Sequence, residues 1–470
     1  MPAHEIHTRF PGRILIVGFG CIGRGVLPLL QRHVGLGPGG IRIVTDHDRH
    51  RDVADALGVQ MRVEALTREN YRRILAEELR AGDFLLNLSI NVASVDLIAW
   101  CRDAGVLYLD ACIEPWAGGY YDTTMSASQR SNYGLREEAL ALRRPGAPTA
   151  VLTHGVNPGL VSHFVKQALL DVAAATGAEG EEPRARAGWA ALARRLGVRT
   201  IHIAERDTQA ALACKKPGEF VNTWSVEGFV GEGCQPAELG WGTHERHWPA
   251  DGHRHGHGCD AAIYLDRPGA ATRVRSWTPL EGPYHGFLIT HGESISISDY
   301  LTVREGGRVA YRPTAHYAYH PCDDAVLSIH ELAGKGWRLQ DGRRELGPDD
   351  IEHGMDELGV LLGGHARNAY WYGSRLTIGQ ARALCPHNNA TSLQTAAGVL
   401  GGVVWAMRHP REGIVDPDDM DFREVLAVAT PYLGEIVGVY SDWTPLERRG
   451  ELFAEKVDAD DPWQFANVRV

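Results

Sequence analysis

The sequence predicts an α/β chain. A Rossmann-like, doubly wound parallel sheet comes first, followed by an α+β domain with a large mixed or antiparallel sheet. Three observations lead there. Residues 13–23 read RILIVGFGCIG, an apolar run that breaks into the turn Gly18, Gly20, Gly23. Up to residue 155, short apolar runs alternate with helical ones, the signature of successive βαβ units. From residue 156 onward, period-two segments bounded by turn residues prevail, which is the pattern of a sheet with one face covered.

The elements follow in order. Residues 13–17 form a buried strand and 24–31 a helix. Gly18 makes the tight turn, Gly20 lets backbone approach a pyrophosphate, and Gly23 allows the helix to pack on the strand. Gly18, Gly20, Cys21, Ile22 and Gly23 together cradle a dinucleotide at a helix N-terminus, where free N–H groups face the phosphates. A second strand, 41–45, ends in Asp46 and Asp48. A carboxylate there accepts from a ribose hydroxyl and repels a 2′-phosphate, which favours NAD. Residues 83–88 are a strand, 92–104 a helix, 106–109 a strand and 149–152 another. Their carboxyl ends place Asn87, Ser89, Asn91, Asp110 and Glu114 on the rim where a nicotinamide lies.

Beyond that, 160–175 and 189–196 read as helices around a charged loop at 179–186. Segments 200–204, 261–265, 287–290, 301–303, 325–329 and 370–376 read as strands of one sheet. Residues 388–408 form a polar-capped apolar helix that returns to the first domain. The expected division is 1–155 for the dinucleotide domain, 156–384 for the substrate and dimerisation domain, and 385–470 for a C-terminal helical segment.

Composition narrows the function. The chain of 470 residues is long enough for two or three domains. Its net charge of −11 argues against nucleic acid and suits cationic small substrates. No apolar run approaches the ~20 residues of a membrane span. Eight cysteines without CxxC pairs, and an N-terminus without a signal-peptide layout, give the expectation of a cytoplasmic protein with reduced thiols.

Several blocks carry a family resemblance. HGVNPGL at 154–160 resembles the exit from the nucleotide domain in saccharopine-dehydrogenase-like proteins. IHIAERDTQ at 201–209, KPGEFVNTWSVE at 216–227, GFVGEGCQPAELGWGTHE at 228–245 and HGES at 291–294 resemble the bacterial homospermidine synthase family. The resemblance runs from residue 13 to the C-terminus. It implies an NAD-dependent, redox-neutral enzyme that joins two putrescines, or putrescine and a related polyamine, into homospermidine with loss of ammonia. It also implies a homodimer and no metal.

The chemistry sets its own demand. Hydride leaves a carbon only when the attached amine has a free lone pair, and freeing an alkylammonium at pH 7 costs about 4–5 kcal/mol. Carboxylates hold the cation but make that harder, so anchoring and reaction need different groups. Glu114, Glu232 and Glu293 lie in the resembling blocks and are expected to anchor substrate, with Glu205 beside the reacting centre. Glu227, Glu238 and Glu245 read as ordinary carboxylates. Trp224 is expected to set its ring against an iminium, a contact of about 0.5–2 kcal/mol that offers no nucleophile. Asn157 is placed to bond an amine or the cofactor carboxamide, and His291 to shuttle a proton.

Other features are discounted. His244, His247, His253, His255 and His257 lack the partners of a zinc site, and Cys214 lacks a base. Lys215 or Lys216 as a Schiff-base former remains open beside direct imine transfer. The rival functions are a saccharopine or carboxynorspermidine dehydrogenase, whose carboxylate products demand arginines at the pocket, and a non-catalytic NAD-binding sensor. Arg206 is the one arginine adjacent to the candidate blocks.

Overall fold

The computed structural model describes residues 4–470. Seven parallel strands form the first sheet, in the order Ile414–Val415, Ala150–Val151, Leu107–Asp110, Phe84–Asn87, Ile14–Val17, Ile41–Thr45 and Gln60–Val63. The central strands, ILIV, FLLN and LYLD, are buried throughout because helices cover both faces. The chain winds outward from Ile14–Val17 through two strands, then returns to Phe84–Asn87 on the other side. The resulting switch point opens a crevice beyond Val17 and Asn87.

The helix expected at 24–31 runs over Cys21–His33, so its first turn opens directly on Gly20. Two helices and a strand, Arg51–Ala56, Tyr71–Glu78 and Gln60–Val63, add a βα unit whose short, polar run carried no clear periodicity.

The second sheet has ten strands. Its main path runs Gly252–Arg254, Ala262–Pro268, Pro236–Gly240, Thr314–His320, Thr200–Asp207, Met355–His365, Asn368–Thr377 and Glu435–Ser441. The hairpin Arg273–Thr278 with Gly282–Phe287 joins it at Thr314–His320. Only the pair Thr314–His320 with Thr200–Asp207 is parallel, so the sheet is mixed.

Three strand expectations need correction. Residues 325–329 lie in the helix Asp323–Gly334. Acidic Asp323 and Asp324 open its first turn and Ala325, Ser328, Ile329 and Leu332 are its buried face, a 3.6-residue period that a five-residue window cannot display. At 287–290 only Phe287 is in a strand, and the chain then leaves the sheet towards His291. Leu301 caps the helix Gly292–Tyr300, and the strand starts at Val303.

Helix Ala390–Arg408 is buried nearly all round, capped by the reciprocal Asn389–Ser392 pair. It crosses Cys21–His33 so closely that a Cβ on Gly25 would lie 2.1 Å from Asn388 Oδ1. The chain then contributes Ile414–Val415 to the first sheet. Past that point it differs from the expected helical segment. Glu435–Ser441 pairs with Asn368–Thr377, and Trp443 and Trp463 cover the outer face of the second sheet. The last stretch thus serves both domains, because each sheet had one face or edge left uncovered.

A buried ionic knot fastens the two domains. Arg136, on helix Asn132–Leu140, donates to both oxygens of Asp416 (3.0 and 2.7 Å) and to Asp299 Oδ2 at 3.2 Å. Asp299 lies near the end of Gly292–Tyr300, a helix buried along its whole length. All eight cysteines are free, and no described helix is long and apolar enough to cross a membrane. Removing the charge by Arg136→Met leaves Asp299 to Arg186 (2.7 Å) and Asp416 to the more distant Arg143 (3.9 Å), and the expected loss is about 2 kcal/mol of unfolding free energy in a urea titration.

Candidate functional site

Strand alternation determines which side chains meet. On Thr200–Asp207, Glu205 and Asp207 share one face while His202 and Arg206 take the other. The parallel register sets Tyr317 beside Ile203 and Tyr319 beside Glu205. The antiparallel register sets Asp356 opposite Asp207. The face that carries Glu205, Asp207, Tyr317, Tyr319 and Asp356 looks towards the first domain, and Trp224, Asn157 and His291 reach it from three separate segments.

The contacts are continuous. Glu205 Oε2 accepts from Asn157 Nδ2 at 3.0 Å and from the Tyr317 hydroxyl. The Tyr317 ring lies 4.5 Å from His291 and stacks on Tyr319 at 5.1 Å. Trp224 Nε1 donates to Tyr319 Oη at 3.1 Å. His291 sits between Glu232 (3.0 Å) and Glu293 (3.2 Å). Cys112 Sγ then bridges the domains, 3.6 Å from Glu232 and 3.8 Å from Glu114. Glu114 Oε2 also accepts from Asn91 N at 3.2 Å. All of the residues that the sequence singles out around the reacting centre therefore meet in one network: Glu114, Asn157, Glu205, Trp224, Glu232, His291 and Glu293.

The electrostatics follow from burial without cations. Burial, with Glu232 adding repulsion, pushes the Glu114 carboxyl up to about 8. Burial likewise raises Glu205 to about 8, against the pull of the Tyr317 hydroxyl and reinforced by Asp207. Asp207 and Asp356 are both raised, chiefly by burial. They share the Thr391 hydroxyl, at 3.5 and 2.6 Å. Burial opposes the His291 charge, but Glu293 and Glu232 overcome it and hold the imidazole protonated up to about 10. His291 therefore carries its proton at neutral pH.

At the nucleotide end, Gly18 has φ +86° and packs 2.8 Å (as a built Cβ) from the Leu88 carbonyl. A Cβ on Gly20 meets nothing within 4 Å, and one on Gly23 would press on Gly18 O at 2.9 Å. The three glycines thus separate into a turn, an open approach and a close packing. The first turn at Cys21 and Ile22 carries neither a side-chain cap nor an acidic residue. Asp46 and Asp48 are exposed just past Ile41–Thr45. Ser89 Oγ donates to Asn87 Oδ1 (2.6 Å), and Asn87 continues through Tyr108 Oη (3.3 Å) to Asp110 Oδ2 (2.8 Å). Asp110 is fully buried, and its other oxygen takes Thr153 N at 2.6 Å, so it sits beneath the rim and braces the turn.

The discounted features disperse. His244 bonds Trp463 O, His247 Asp458, His253 Asp266 and His255 Ser128. Among the described residues no three His, Cys, Asp or Glu side chains are arranged to hold a metal ion. Lys215 pairs with Glu331 at 2.5 Å and Lys216 is exposed. Arg206 turns to the opposite sheet face, towards Glu281 and Asp323 at 3.2 Å each. Sequence reasoning missed Cys112, Asp207, Tyr317, Tyr319 and Asp356. The run TAHYAYH at 314–320 does alternate, with Tyr317 and Tyr319 two residues apart, and that period was the available signal.

Two family models match the chain: the saccharopine dehydrogenase NADP binding domain over residues 14–151 and the saccharopine dehydrogenase C-terminal domain over residues 155–440. A homospermidine synthase of Blastochloris viridis is 54% identical over 471 residues, covering 99% of this chain and 98% of that protein. One from Mesorhizobium japonicum is 49% identical over 473 residues, with 99% and 98% covered. Among solved structures, the homospermidine synthase of Legionella pneumophila in complex with NAD gives a TM-score of 0.92 at 48% identity over 98% of each chain. Apo saccharopine dehydrogenase from Saccharomyces cerevisiae shares the fold, with a TM-score of 0.51 at 10% identity over 92% of this chain and 100% of that one.

The shifted groups fix a pH dependence. Glu114 and Glu205 hold protons in the fold up to about 8 that the unfolded chain gives up above its ordinary carboxylate range. His291 holds its proton up to about 10 where an unfolded imidazole releases it near ~6.5. Between pH 6.5 and 8 the folded state therefore binds more protons than the unfolded one, and stability falls as pH rises. The urea midpoint of the free protein is expected to drop across this window. A saturating diamine should restore more of it at pH 8 than at pH 6.5.

Proposed function

From the premise that this chain belongs to the homospermidine synthase family, which has the saccharopine dehydrogenase fold, we propose how its residues perform the family's reaction. An aminobutyl unit of one putrescine is joined to a nitrogen of a second, ammonia is released, and no net oxidation occurs.

The observation that carries this reading is the carboxylate cluster. Glu114, Glu205, Glu232 and Glu293 belong to one buried contact network in which His291 is the single cation in hydrogen-bond contact among the described residues. Such an interior selects ammonium groups and repels carboxylates. Arg206 faces away from it, which disfavours a saccharopine or carboxynorspermidine dehydrogenase, and a mere sensor has no need of a base beside an aromatic face.

The chain fits NAD. Gly18, Gly20 and Gly23, with the N–H groups of Cys21 and Ile22, offer the pyrophosphate an uncapped helix N-terminus, and Gly20 leaves its approach clear. Asp46 or Asp48 accepts from the adenosine ribose, and Asn87 and Ser89 line the crevice at the nicotinamide end. Bound NAD supplies a reversible hydride acceptor for the carbon beside the reacting nitrogen.

The protein's part is mostly proton and charge control. Putrescine enters as a dication, and Glu114, Glu232 and Glu293 hold its far ammonium. Glu114, protonated at neutral pH when alone, ionises as the cation arrives, so the site gains charge only when it is needed. Glu205, once it has likewise ionised, takes the proton from the near ammonium. Against an amine near 10.4, an ordinary carboxylate faces about 8 kcal/mol, whereas one raised to about 8 faces only about 3 kcal/mol. The Trp224 ring, held by Tyr319 and half-buried over Gly228, stabilises the iminium while ammonia leaves and the second amine adds. Asn157 orients Glu205 and the incoming nitrogen. Direct imine transfer needs no lysine, in keeping with the ion-paired Lys215. The reading also carries a cytoplasmic location and a homodimer.

With putrescine and a trace of NAD, homospermidine and ammonia are expected in equal amounts, many turnovers per NAD, with no build-up of NADH absorbance. Stoichiometric NADH would instead make the protein an ordinary dehydrogenase. For Trp224, the Phe variant is expected to keep turnover within about tenfold of the parent, whereas Trp224→Leu should lose about thirtyfold with NAD binding unchanged. Normal turnover by Trp224→Leu would remove the ring from the chemistry.

A further inference from the structure

Glu205 is held from one side only. Both hydrogen bonds it receives, from Asn157 Nδ2 at 3.0 Å and from the Tyr317 hydroxyl, end on Oε2. No protein donor reaches Oε1 among the described residues. The two donors come from unrelated segments, the loop after Ala150–Val151 and the strand Thr314–His320. A carboxylate gripped at one oxygen by two such donors cannot turn about its terminal bond.

We propose that Tyr317 is a positioning residue for Glu205: with Asn157 it commits one carboxylate oxygen, leaving Oε1 as the atom that takes the substrate's proton. The inference rests on the reading of Glu205 as proton acceptor and deepens it. In the step, an N–H bond of the alkylammonium breaks, its electron pair stays on nitrogen, and the proton bonds to Oε1. A cation and a carboxylate become a neutral amine and a carboxylic acid, so atoms and charge balance.

Tyr317 is itself fixed for this task. Its ring stacks on Tyr319, 5.1 Å apart and 13° from parallel, and lies 4.5 Å from His291. Tyr319 in turn receives Trp224 Nε1. The same two rings that aim the base therefore hold the tryptophan, and a strand with Tyr317 and Tyr319 at period two positions both halves of the reaction. The titratable groups facing Glu205 are Asp207 on its own strand, Asp356 on Met355–His365, His291, Tyr317 and Tyr319. Burial and the two aspartates oppose its ionisation. His291 and the hydroxyl of Tyr317 favour it, and Tyr317 does so by direct contact.

The test is Tyr317→Phe, which keeps the ring stack and removes only the hydroxyl. Measured as kcat/KM for putrescine from about pH 6 to about pH 10, the acid limb is expected to move up by about one pH unit. Activity should fall about tenfold at pH 7 and return to within about threefold of the parent at the alkaline end. Tyr319→Phe, matched in strand and burial, should lower turnover without moving the limb. A Tyr317→Phe limb that coincides with the parent's, or a loss equal at every pH, overturns the proposal. Should that variant not fold, para-aminophenylalanine at 317 keeps the ring and a weaker donor. It is expected to give an intermediate limb, and an unmoved limb again overturns the role. Redox-neutral turnover by the parent is measured first. Its absence would remove the functional reading, whereas a normal parent with an unmoved Tyr317→Phe limb removes the positioning role alone.

Discussion

Uncompensated negative charge in the interior is the constraint around which this protein is arranged. Glu114, Glu205, Asp207, Glu232, Glu293 and Asp356 are all buried, and among the described residues His291 is the one cation bonded to the group. Burying an ion without a partner costs several kcal/mol, and such groups respond by keeping their protons. The fold tolerates the cluster because burial keeps Glu114, Glu205, Asp207 and Asp356 raised, while Glu232 and Glu293 bond His291. A diamine then supplies the missing charge. In the proposed mechanism, binding and ionisation become one event, and an interior unfavourable in the free protein becomes favourable when occupied.

Placing the carboxyl groups demands a rigid frame, and the second sheet provides it. A one-residue slip in any central strand would send Glu205, Tyr317 or Asp356 to the outer face. That face is already filled by Trp371, Trp443 and Trp463 around Ala204 and Leu361, so the register is held from behind. The tyrosine pair converts the register into function. Tyr317 and Tyr319 are apolar enough for the interior, yet each ends in a hydroxyl where a polar neighbour needs one.

Because the site straddles two domains, their relative position matters as much as either sheet. Glu114 and Cys112 come from the first domain, while Glu232 and His291 come from the second. The Arg136 knot ties Asp416, which follows the last strand of the first sheet, to Asp299 on the helix whose first turn holds Glu293. Asn388, just ahead of helix Ala390–Arg408, packs against the nucleotide-side helix at Gly25. A shift of one domain would separate Glu114 from Glu232 and end the cooperation between them.

What depends on local chemistry can be read from consecutive residues. The glycine turn, the parallel sheet, the aspartates beyond the second strand and the carboxylates of the resembling blocks were legible because each is written within a few consecutive residues. So was Trp224 between Thr223 and Ser225, since it stood inside such a block. Short windows failed where helix and strand periods coincide, as at residues 325–329, or where burial on all sides erases period altogether, as in Gly292–Tyr300. That His291 is clamped between two glutamates, that Arg206 faces away, that Asp110 is a brace below the rim and that Tyr317 reaches Glu205 emerge from the folded chain alone. Most of those facts depend on strand register and domain contact between residues from 43 to 117 positions apart. A side chain's charge state is set by whatever the fold brings beside it, and no stretch of sequence records that neighbour.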